Sequence, residues 1–279
     1  MPGDGIREEL TRLFANDISA YPEGIVLPID KPYRWTSADV IRKIKFAAVR
    51  HFGKKNLKVG HAGTLDPLAT GILLVCIGEA TKKAETLQAS PKEYAAGVTF
   101  GAVTASYDLE KDIDRECPLD GVSGESVRAV LPSFVGEQMQ VAPLFSAKSV
   151  DGVRAYETAR RLYRQGRLEE GSDLIRASRI EIYDLEMLSY GVSAFAAPPS
   201  GEGRNSRINV ADISGYSLPT AMIRIGCSKG TYIRALARDL GEALGSGAFL
   251  SSLRRTRNGG FTLDDALTLD DALAMLGQR

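Results

Sequence analysis

A glycine-rich loop that runs directly into an apolar segment is the feature that most constrains the fold of this chain. Residues 60–71 contain three glycines, one proline and a single acid, Asp66, and residues 72–77 are entirely apolar. A short apolar run bounded by turn residues is typical of a buried strand. Pro67 restricts the backbone of Asp66 toward extended conformations. We therefore predict a carboxylate held at the entrance to a buried strand, in the kind of loop that frequently carries function.

Asp66 has three candidate roles on these features alone: a helix N-cap, a salt-bridge partner or a nucleophile. No other acid lies between Asp39 and Glu79. An ionised aspartate can attack an electrophilic carbon, so catalysis is chemically possible. The loop position by itself favours a structural role over a catalytic one, and both stay open at this point.

Signatures of other catalytic chemistries are missing from the sequence. The chain has two histidines, His51 and His61, and its histidines, cysteines and acids show no metal-ligand spacing. No Gly-x-Ser-x-Gly elbow accompanies either histidine, and the sequence contains neither a phosphate loop ending in Gly-Lys-Ser/Thr nor a dinucleotide-binding glycine fingerprint. We therefore expect no catalytic metal, no serine triad and no nucleotide cofactor.

Charge is balanced over the whole chain but unevenly distributed along it. Lys+Arg and Asp+Glu number 35 each. Seven Lys or Arg and no acid occur between residues 40 and 58, whereas seven acids occur between residues 108 and 125. Arginines at 154–167 and at 254–257 form two further basic groups. A neutral protein with basic segments suits local contact with a polyanion, although a solvated helix face gives the same pattern.

The cysteines and the hydropathy of the sequence indicate the cellular compartment in which the protein is expected. The three cysteines, Cys76, Cys117 and Cys227, are widely spaced and form neither a metal-ligand pattern nor a disulfide framework, which favours a reducing environment. No stretch reaches eighteen apolar residues, and the N-terminus lacks the layout of a signal peptide. We therefore expect a soluble, cytoplasmic protein without a membrane segment.

Residue periodicity predicts an α+β fold around a mainly antiparallel sheet. Residues 1–22 are predicted to form an N-terminal helical extension, and residues 23–279 a single domain. Ser37 is the predicted N-cap of a basic helix that has an apolar stripe. Residues 108–120 are predicted to form an acidic loop, and residues 191–218 a long hairpin insertion.

Six segments resemble, in order, motifs of the TruB family of tRNA pseudouridine synthases. They are residues 27–32 (Leu-Pro-Ile-Asp-Lys-Pro), 60–81 with Asp66, 92–94 (Lys-Glu-Tyr), 104–108 (Thr-Ala-Ser-Tyr-Asp), 143–156 and 227–234 (Cys-Ser-Lys-Gly-Thr-Tyr-Ile-Arg). The resemblance runs from about residue 25 to about residue 260 and rests on long, ordered motifs. It implies the pseudouridine synthase fold, in which helices flank a mixed, mainly antiparallel sheet, with an RNA-binding flap at about 140–167.

The resemblance also implies roles for individual residues. It makes Asp66 the catalytic nucleophile, places Tyr94 against the target base for proton transfer, and pairs Arg234 with Asp66. It implies that His61 fills the gap left in the RNA by the extruded base, and that Lys31 supports the loop or contacts the RNA backbone. Further residues assigned to RNA binding are Tyr232, Lys148, Arg154 and Lys82.

The reaction implied by the resemblance is the isomerisation of uridine to pseudouridine at position 55 in the T-loop of tRNA, without a cofactor. Uracil is detached at N1, rotated and rejoined through C5 after the nucleotide has left its stack. The expected partner is the T stem-loop of tRNA, bound by a monomer that requires no protein partner. Many family members end in a small PUA-type domain, and we expect none here because only about twenty residues follow residue 257.

Two alternatives to this function stay open from the sequence. One is a guide-RNA-dependent pseudouridine synthase, since that class shares the aspartate motif. The other is a non-catalytic factor that binds and folds tRNA.

Overall fold

The computed structural model describes residues 16–146, 148–150, 153–197 and 208–277. Most of the extension predicted over residues 1–22 lies outside the described residues, as do the middle of the insertion predicted over residues 191–218 and three positions of the predicted flap. The chain divides into two compact units. The first unit is Met1–Tyr94 with Arg254–Arg279, and the second unit is Ala95–Leu253.

The regular elements of the described residues are strands and mostly short helices. The strands are β1 (Ile25–Lys31), β2 (Val59–Ala62), β3 (Thr70–Ile77), β4 (Lys92–Phe100), β5 (Ala102–Thr104), β6 (Ile113–Glu116), β7 (Gly136–Gln140), β8 (Ser149–Val150), β9 (Val153–Arg154), β10 (Ser178–Ala194), β11 (Ser217–Cys227), β12 (Ala248–Asn258), β13 (Phe261–Thr262) and β14 (Leu267–Thr268). The α-helices are α1 (Ser37–His51), α2 (Ala84–Ala89), α3 (Gly124–Val130), α4 (Ala155–Arg164), α5 (Ile233–Ala243) and α6 (Leu269–Gly277). Short 3₁₀ helices cover Ile18–Ala20, Gly78–Lys83, Leu131–Phe134, Leu168–Leu174 and Leu263–Asp265.

The sheet of the first unit is centred on β3, the strand predicted from the apolar run. Its strands follow the order β14-β1-β3-β12, with β2 also paired to β3. β1 runs antiparallel to β3 along its whole length, whereas β12 is parallel to β3 at the pairs Arg254↔Thr70 and Arg255↔Gly71. All of β3 beyond Thr70 is buried. Burial on both faces explains why the segment is continuously apolar rather than alternating.

Helix α1 follows β1 and turns its basic residues outward. Its buried positions include Val40, Ile44 and Ala48, the predicted apolar stripe. The N-cap is Thr36 rather than the predicted Ser37, because Thr36 forms a reciprocal capping box with Asp39. Both residues have hydroxyls able to cap a helix, and the hydroxyl of Ser37 is engaged elsewhere, as described below.

The sheet of the second unit is mainly antiparallel. β10 pairs antiparallel with β11 on one edge and with β7 on the other. A separate two-stranded sheet joins β5 and β6. The acidic stretch predicted as a loop over 108–120 therefore contains a strand, β6, at Ile113–Glu116. Taken with the first unit, these pairings confirm the predicted α+β class with a mainly antiparallel, mixed sheet.

The segment predicted as a flap begins at the end of β7. That strand ends at Gln140, and residues 141–146 form neither helix nor strand. A short antiparallel hairpin of β8 and β9 follows, and then the basic helix α4. Within the ranges that the structure describes, no helix combines the length and apolar character needed to cross a lipid bilayer.

Candidate active site

The Asp66 loop, residues 63–69, connects β2 to β3 in the first unit. Asp66 is half-buried, and Leu65 and Leu68 on either side of it are buried at 4% and 9% exposure. The carbonyl oxygen of Asp66 accepts a hydrogen bond from the amide of Ala69 at 3.1 Å, which closes a turn. The aspartate is thus held between two buried leucines and its carboxylate is carried on a compact turn.

Ser37 fixes the residue immediately before Asp66. Its buried hydroxyl accepts a hydrogen bond from the amide of Leu65 at 2.9 Å and donates one to the carbonyl of Leu65 at 3.1 Å. Both backbone polar groups of Leu65 are therefore satisfied by one side chain from the first turn of α1. Satisfying two buried backbone groups at once makes this contact costly to lose.

Lys31 supports the other side of the turn from inside the protein. Its side chain is fully buried, and its ammonium donates to the carbonyls of Pro32 at 3.0 Å, Trp35 at 2.6 Å and Pro67 at 3.2 Å. Burial lowers the pKa of Lys31 to about 7, assisted by the charge of Arg255 and opposed chiefly by that of Asp66. Of the two roles that the resemblance implies for Lys31, this geometry supports the one in the loop.

Arg255 and Asp30 hold the two ends of the Asp66 loop. The guanidinium of Arg255 donates from Nε to the carbonyl of Ile72 at 2.7 Å, from Nη1 to that of Thr64 at 3.4 Å and from Nη2 to that of Gly63 at 3.1 Å. Asp30 accepts from the amide of Gly71 at 3.1 Å. Gly71 has a φ of +95°, a conformation that favours glycine. The loop backbone is therefore anchored at both ends as well as at its centre.

His61 lies on β2, just before the Asp66 loop. Its side chain is half-buried, and its Nδ1 has no hydrogen-bond partner among the described residues. Burial, together with the charge of Arg255, lowers the pKa of His61 below 6.5. The imidazole is therefore neutral at pH 7, which suits a ring that contacts a base rather than a phosphate.

Tyr94 and Lys82 complete the predicted residues of the first unit. Tyr94 lies on β4 and is 8% exposed, so it packs as a largely buried aromatic side chain. Lys82 is exposed and forms an ion pair with Glu79 at 2.5 Å. A surface pair of this kind contributes little to stability, so it leaves Lys82 able to exchange partners.

In the second unit, Arg234 is buried at the start of α5. Its Nη1 donates to the carbonyl of Phe145 at 2.8 Å and to that of Ser106 at 3.1 Å, and its Nε lies 3.6 Å from the carboxylate of Asp108. Asp108 is itself buried and accepts from the hydroxyl of Ser106 at 2.6 Å and from the amide of Glu110 at 2.9 Å. The first residue of the predicted acidic loop thus anchors the guanidinium of Arg234.

The other predicted residues of the second unit lie at the flap and at the start of α5. The amide and carbonyl of Tyr232 bond to the side chain of Gln140, at 2.8 and 3.2 Å. Lys148 donates to the carbonyl of Arg176 at 2.8 Å and to the hydroxyl of Ser178 at 2.7 Å. Arg154 lies on β9. These contacts tie the start of α5 and the flap to β7 and β10.

The predicted site residues are divided between the units. The first unit contains Asp66, Tyr94, His61, Lys31 and Lys82; the second contains Arg234, Tyr232, Lys148 and Arg154. The pairing of Arg234 with Asp66 stays a prediction. In the described part of the chain, no three His, Cys, Asp or Glu residues are grouped so that they could hold a metal ion.

Two family models match the sequence. Residues 50–198 match the TruB family pseudouridylate synthase N-terminal domain, and residues 234–278 match the tRNA pseudouridylate synthase B C-terminal domain. The sequence is 43% identical over 260 residues to a protein of Phocaeicola vulgatus named tRNA pseudouridine synthase B, covering 93% of this chain and 96% of that protein. A protein of the same name from Bacteroides thetaiotaomicron is 44% identical over 248 residues, covering 88% of this chain and 90% of that one.

Solved structures give the same assignment of fold. The crystal structure of a Cbf5-Nop10-Gar1 complex contains a chain that is 28% identical, with a TM-score of 0.59 over 92% of this chain. This chain spans 56% of the length of that one. Because the matched family model covers more than half of the sequence and the relatives cover nearly all of it, the chain belongs to the TruB family of pseudouridylate synthases.

Proposed function

We propose that this protein isomerises uridine to pseudouridine at position 55 in the T-loop of tRNA. The observation that carries the proposal is the anchored Asp66 loop, in a chain 43% identical to a protein named tRNA pseudouridine synthase B. Ser37, Lys31 and Arg255 hold the backbone around Asp66 by hydrogen bonds that satisfy buried groups. A carboxylate on so fixed a backbone is suited to attack a carbon at a defined position.

The reaction breaks one glycosidic bond and forms another. The bond between C1′ of the ribose and N1 of uracil is cleaved, the base turns, and a bond from C1′ to C5 replaces it. The hydrogen on C5 leaves as a proton and N1 gains one, so there is neither net oxidation nor hydrolysis. The carboxylate of Asp66 is the proposed nucleophile: the bond that it forms to a carbon of the nucleotide is broken again before pseudouridine leaves, so the carboxylate is regenerated. The buried Tyr94 is assigned to the face of the base and to proton transfer.

Arg234 is assigned to pairing with the carboxylate of Asp66. Its own setting supports this assignment, because the guanidinium is buried and orientated by the carbonyls of Phe145 and Ser106 and by Asp108. A planar guanidinium held in one orientation matches the two oxygens of a carboxylate. His61, neutral and half-buried beside the loop, is assigned to the gap left by the extruded base.

The tRNA backbone is assigned to the exposed cations of both units. On α1 these include Arg42, Lys45 and Arg50, and on α4 they include Arg160 and Arg164. Phosphate contacts release counterions, and they position an RNA without reading its sequence. Their binding energy offsets the few kcal/mol, roughly, that it costs to unstack the target nucleotide.

The function is tested with the purified protein and a T stem-loop transcript. We expect one pseudouridine, at position 55, after incubation without metal or cofactor. The control is a transcript carrying cytidine at position 55, in which no pseudouridine is expected. Conversion that requires an added guide RNA supports the guide-dependent alternative, and tight binding without conversion supports the tRNA-folding alternative. Either result overturns the proposal.

A further inference from the structure

Arg255 is the largest fully buried side chain in the described part of the protein, at 1% exposure. The sequence places it in a basic group with Arg254 and Arg257, which suggested a surface that contacts a polyanion. That interpretation is wrong for Arg255, because the side chain of this residue points into the first unit. Arg257, two residues further along β12, is exposed.

The contacts of Arg255 bridge the Asp66 loop from one end to the other. Its guanidinium bonds to the carbonyls of Gly63 and Thr64 where the chain leaves β2, and to the carbonyl of Ile72 in β3. Its backbone pairs in register with Gly71, the second residue of β3. One residue therefore fixes the relative position of the two strands between which Asp66 is carried.

The partners of the guanidinium indicate what this arrangement is for. In the described part of the chain, its hydrogen bonds go to carbonyl oxygens of a turn and a strand. A buried charge is expensive unless hydrogen bonds compensate it, and a hydrophobic side chain of similar volume fills a core at lower cost. A planar guanidinium that donates to three carbonyl groups at once also fixes the positions of these groups relative to one another. An apolar side chain cannot do this.

We propose that Arg255 is a positioning residue for the reaction, acting through the backbone of residues 63–72 to set the location of the Asp66 carboxylate. This inference rests on the proposed function. Displacement of a reacting group by about 1 Å is enough to reduce a rate about a hundredfold. The rate of the chemical step therefore depends on the shape of the Arg255 side chain as well as on its charge.

The test uses Arg255→Lys, which keeps the charge but loses the planar fork. Single-turnover conversion of the T stem-loop transcript is measured at saturating protein, beside RNA affinity and melting temperature. We expect a fall of about 10- to 100-fold in the rate constant for Arg255→Lys, with RNA affinity within about twofold of that of the wild type. The control is Arg128→Lys, at an exposed position of α3 outside the basic groups, for which a rate constant within about twofold of the wild type is expected.

A second variant, Arg255→Gln, separates the charge from the geometry. Arg255 contributes to the lowered pKa of His61, so loss of its charge raises that pKa, whereas Arg255→Lys leaves it low. The His61 titration is followed by NMR in both variants. The titration reports the charge at position 255 alone: a raised His61 pKa in Arg255→Gln with none in Arg255→Lys shows that the rate loss of Arg255→Lys comes from the lost planar fork and not from a change of local charge.

The outcomes distinguish this inference from the proposed function. Failure of the wild-type protein to convert any transcript overturns the function. Conversion by the wild type, with a folded Arg255→Lys variant that reacts within twofold of it, overturns the positioning role alone. If both Arg255 variants fail to fold at temperatures where the wild type reacts, Arg255 is a folding residue and the inference is also wrong.

Discussion

The hydroxyl of Ser37 bonds to both the amide and the carbonyl of Leu65, the residue immediately before Asp66. This contact joins the start of α1 to the loop across 28 positions of sequence. Lys31, Asp30 and Arg255 also form hydrogen bonds to the backbone near Asp66. The backbone that carries the candidate nucleophile is therefore held in place by side chains of the first unit.

Ser37→Ala removes the link between α1 and the loop. Two buried backbone groups of Leu65 lose their partner, so we expect the free energy of unfolding to fall by about 1–3 kcal/mol. Urea denaturation measures this change. Ser133→Ala is the control, because the Ser133 hydroxyl bonds to one carbonyl at an exposed position, and a change within about 0.5 kcal/mol is expected there. Equal effects of the two substitutions contradict the assignment of Ser37.

Gly71→Ala tests the tight contact between the start of β3 and β12. A Cβ atom at Gly71 would lie 2.8 Å from the backbone nitrogen of Arg255 and closer still to its carbonyl oxygen, at a φ of +95°. We expect a loss of at least about 2 kcal/mol, since a left-handed conformation and a clash with backbone add together. Gly60→Ala is the matched control, because nothing lies within 4 Å of its Cβ position. A stable Gly71→Ala variant contradicts the described packing.

The buried Lys31 predicts a specific pH dependence of stability. Its pKa is lowered from 10.5 to about 7 in the folded protein, so between these values the unfolded chain binds more protons. The free energy of unfolding therefore rises with pH across this window, by up to about 1.4 kcal/mol per pH unit, and the penalty is fully present below pH 7. Denaturation at pH 6.5, 8 and 9.5 measures the slope. Lys31→Met is expected to flatten it, and an unchanged slope in this variant excludes Lys31 as the cause.

Arg234→Lys tests the planar partner proposed for Asp66. A lysine keeps the positive charge but has no planar guanidinium. Its ammonium cannot bond to the carbonyls of Phe145 and Ser106 and at the same time pair with a carboxylate. We expect the single-turnover rate constant to fall by at least about a hundredfold, which corresponds to about 2.7 kcal/mol. Arg179→Lys, at an exposed position that pairs with Glu137, is the control and is expected to react normally. Near-normal turnover by Arg234→Lys removes Arg234 from the site.

The elements around the loop are predictable because their signals are local. The apolar run at residues 72–77 and the glycines before it define a buried strand and its entrance, and the apolar spacing at Val40, Ile44 and Ala48 defines a helix face. The resemblance to the TruB family then predicts a catalytic role for Asp66. These signals lie within windows of about twenty residues or fewer, which is the range over which periodicity and turn chemistry act.

The supporting contacts are not predictable in the same way, because they join distant parts of the chain. Arg255 lies 192 positions from Gly63, and Asp108 lies 126 positions from Arg234. In sequence, Arg255 is indistinguishable from its exposed neighbour Arg257, and the motif that contains Asp108 does not indicate which residue Asp108 contacts. Burial decides their roles, and burial is a property of the folded chain. The helix cap is a mixed case: the Thr36–Asp39 capping box is local, whereas the contact of the Ser37 hydroxyl with Leu65 spans 28 positions.

The claim that Asp66 is the nucleophile is tested most directly by the single-turnover rate of Asp66→Asn. Asparagine keeps the size and hydrogen-bonding capacity of the side chain but cannot form the covalent bond, so conversion of the T stem-loop is expected to be undetectable while RNA affinity stays within a few-fold of that of the wild type. Asp120→Asn, at an exposed acid, is expected to react as the wild type does. Conversion by a folded Asp66→Asn variant within tenfold of the wild-type rate would contradict the account.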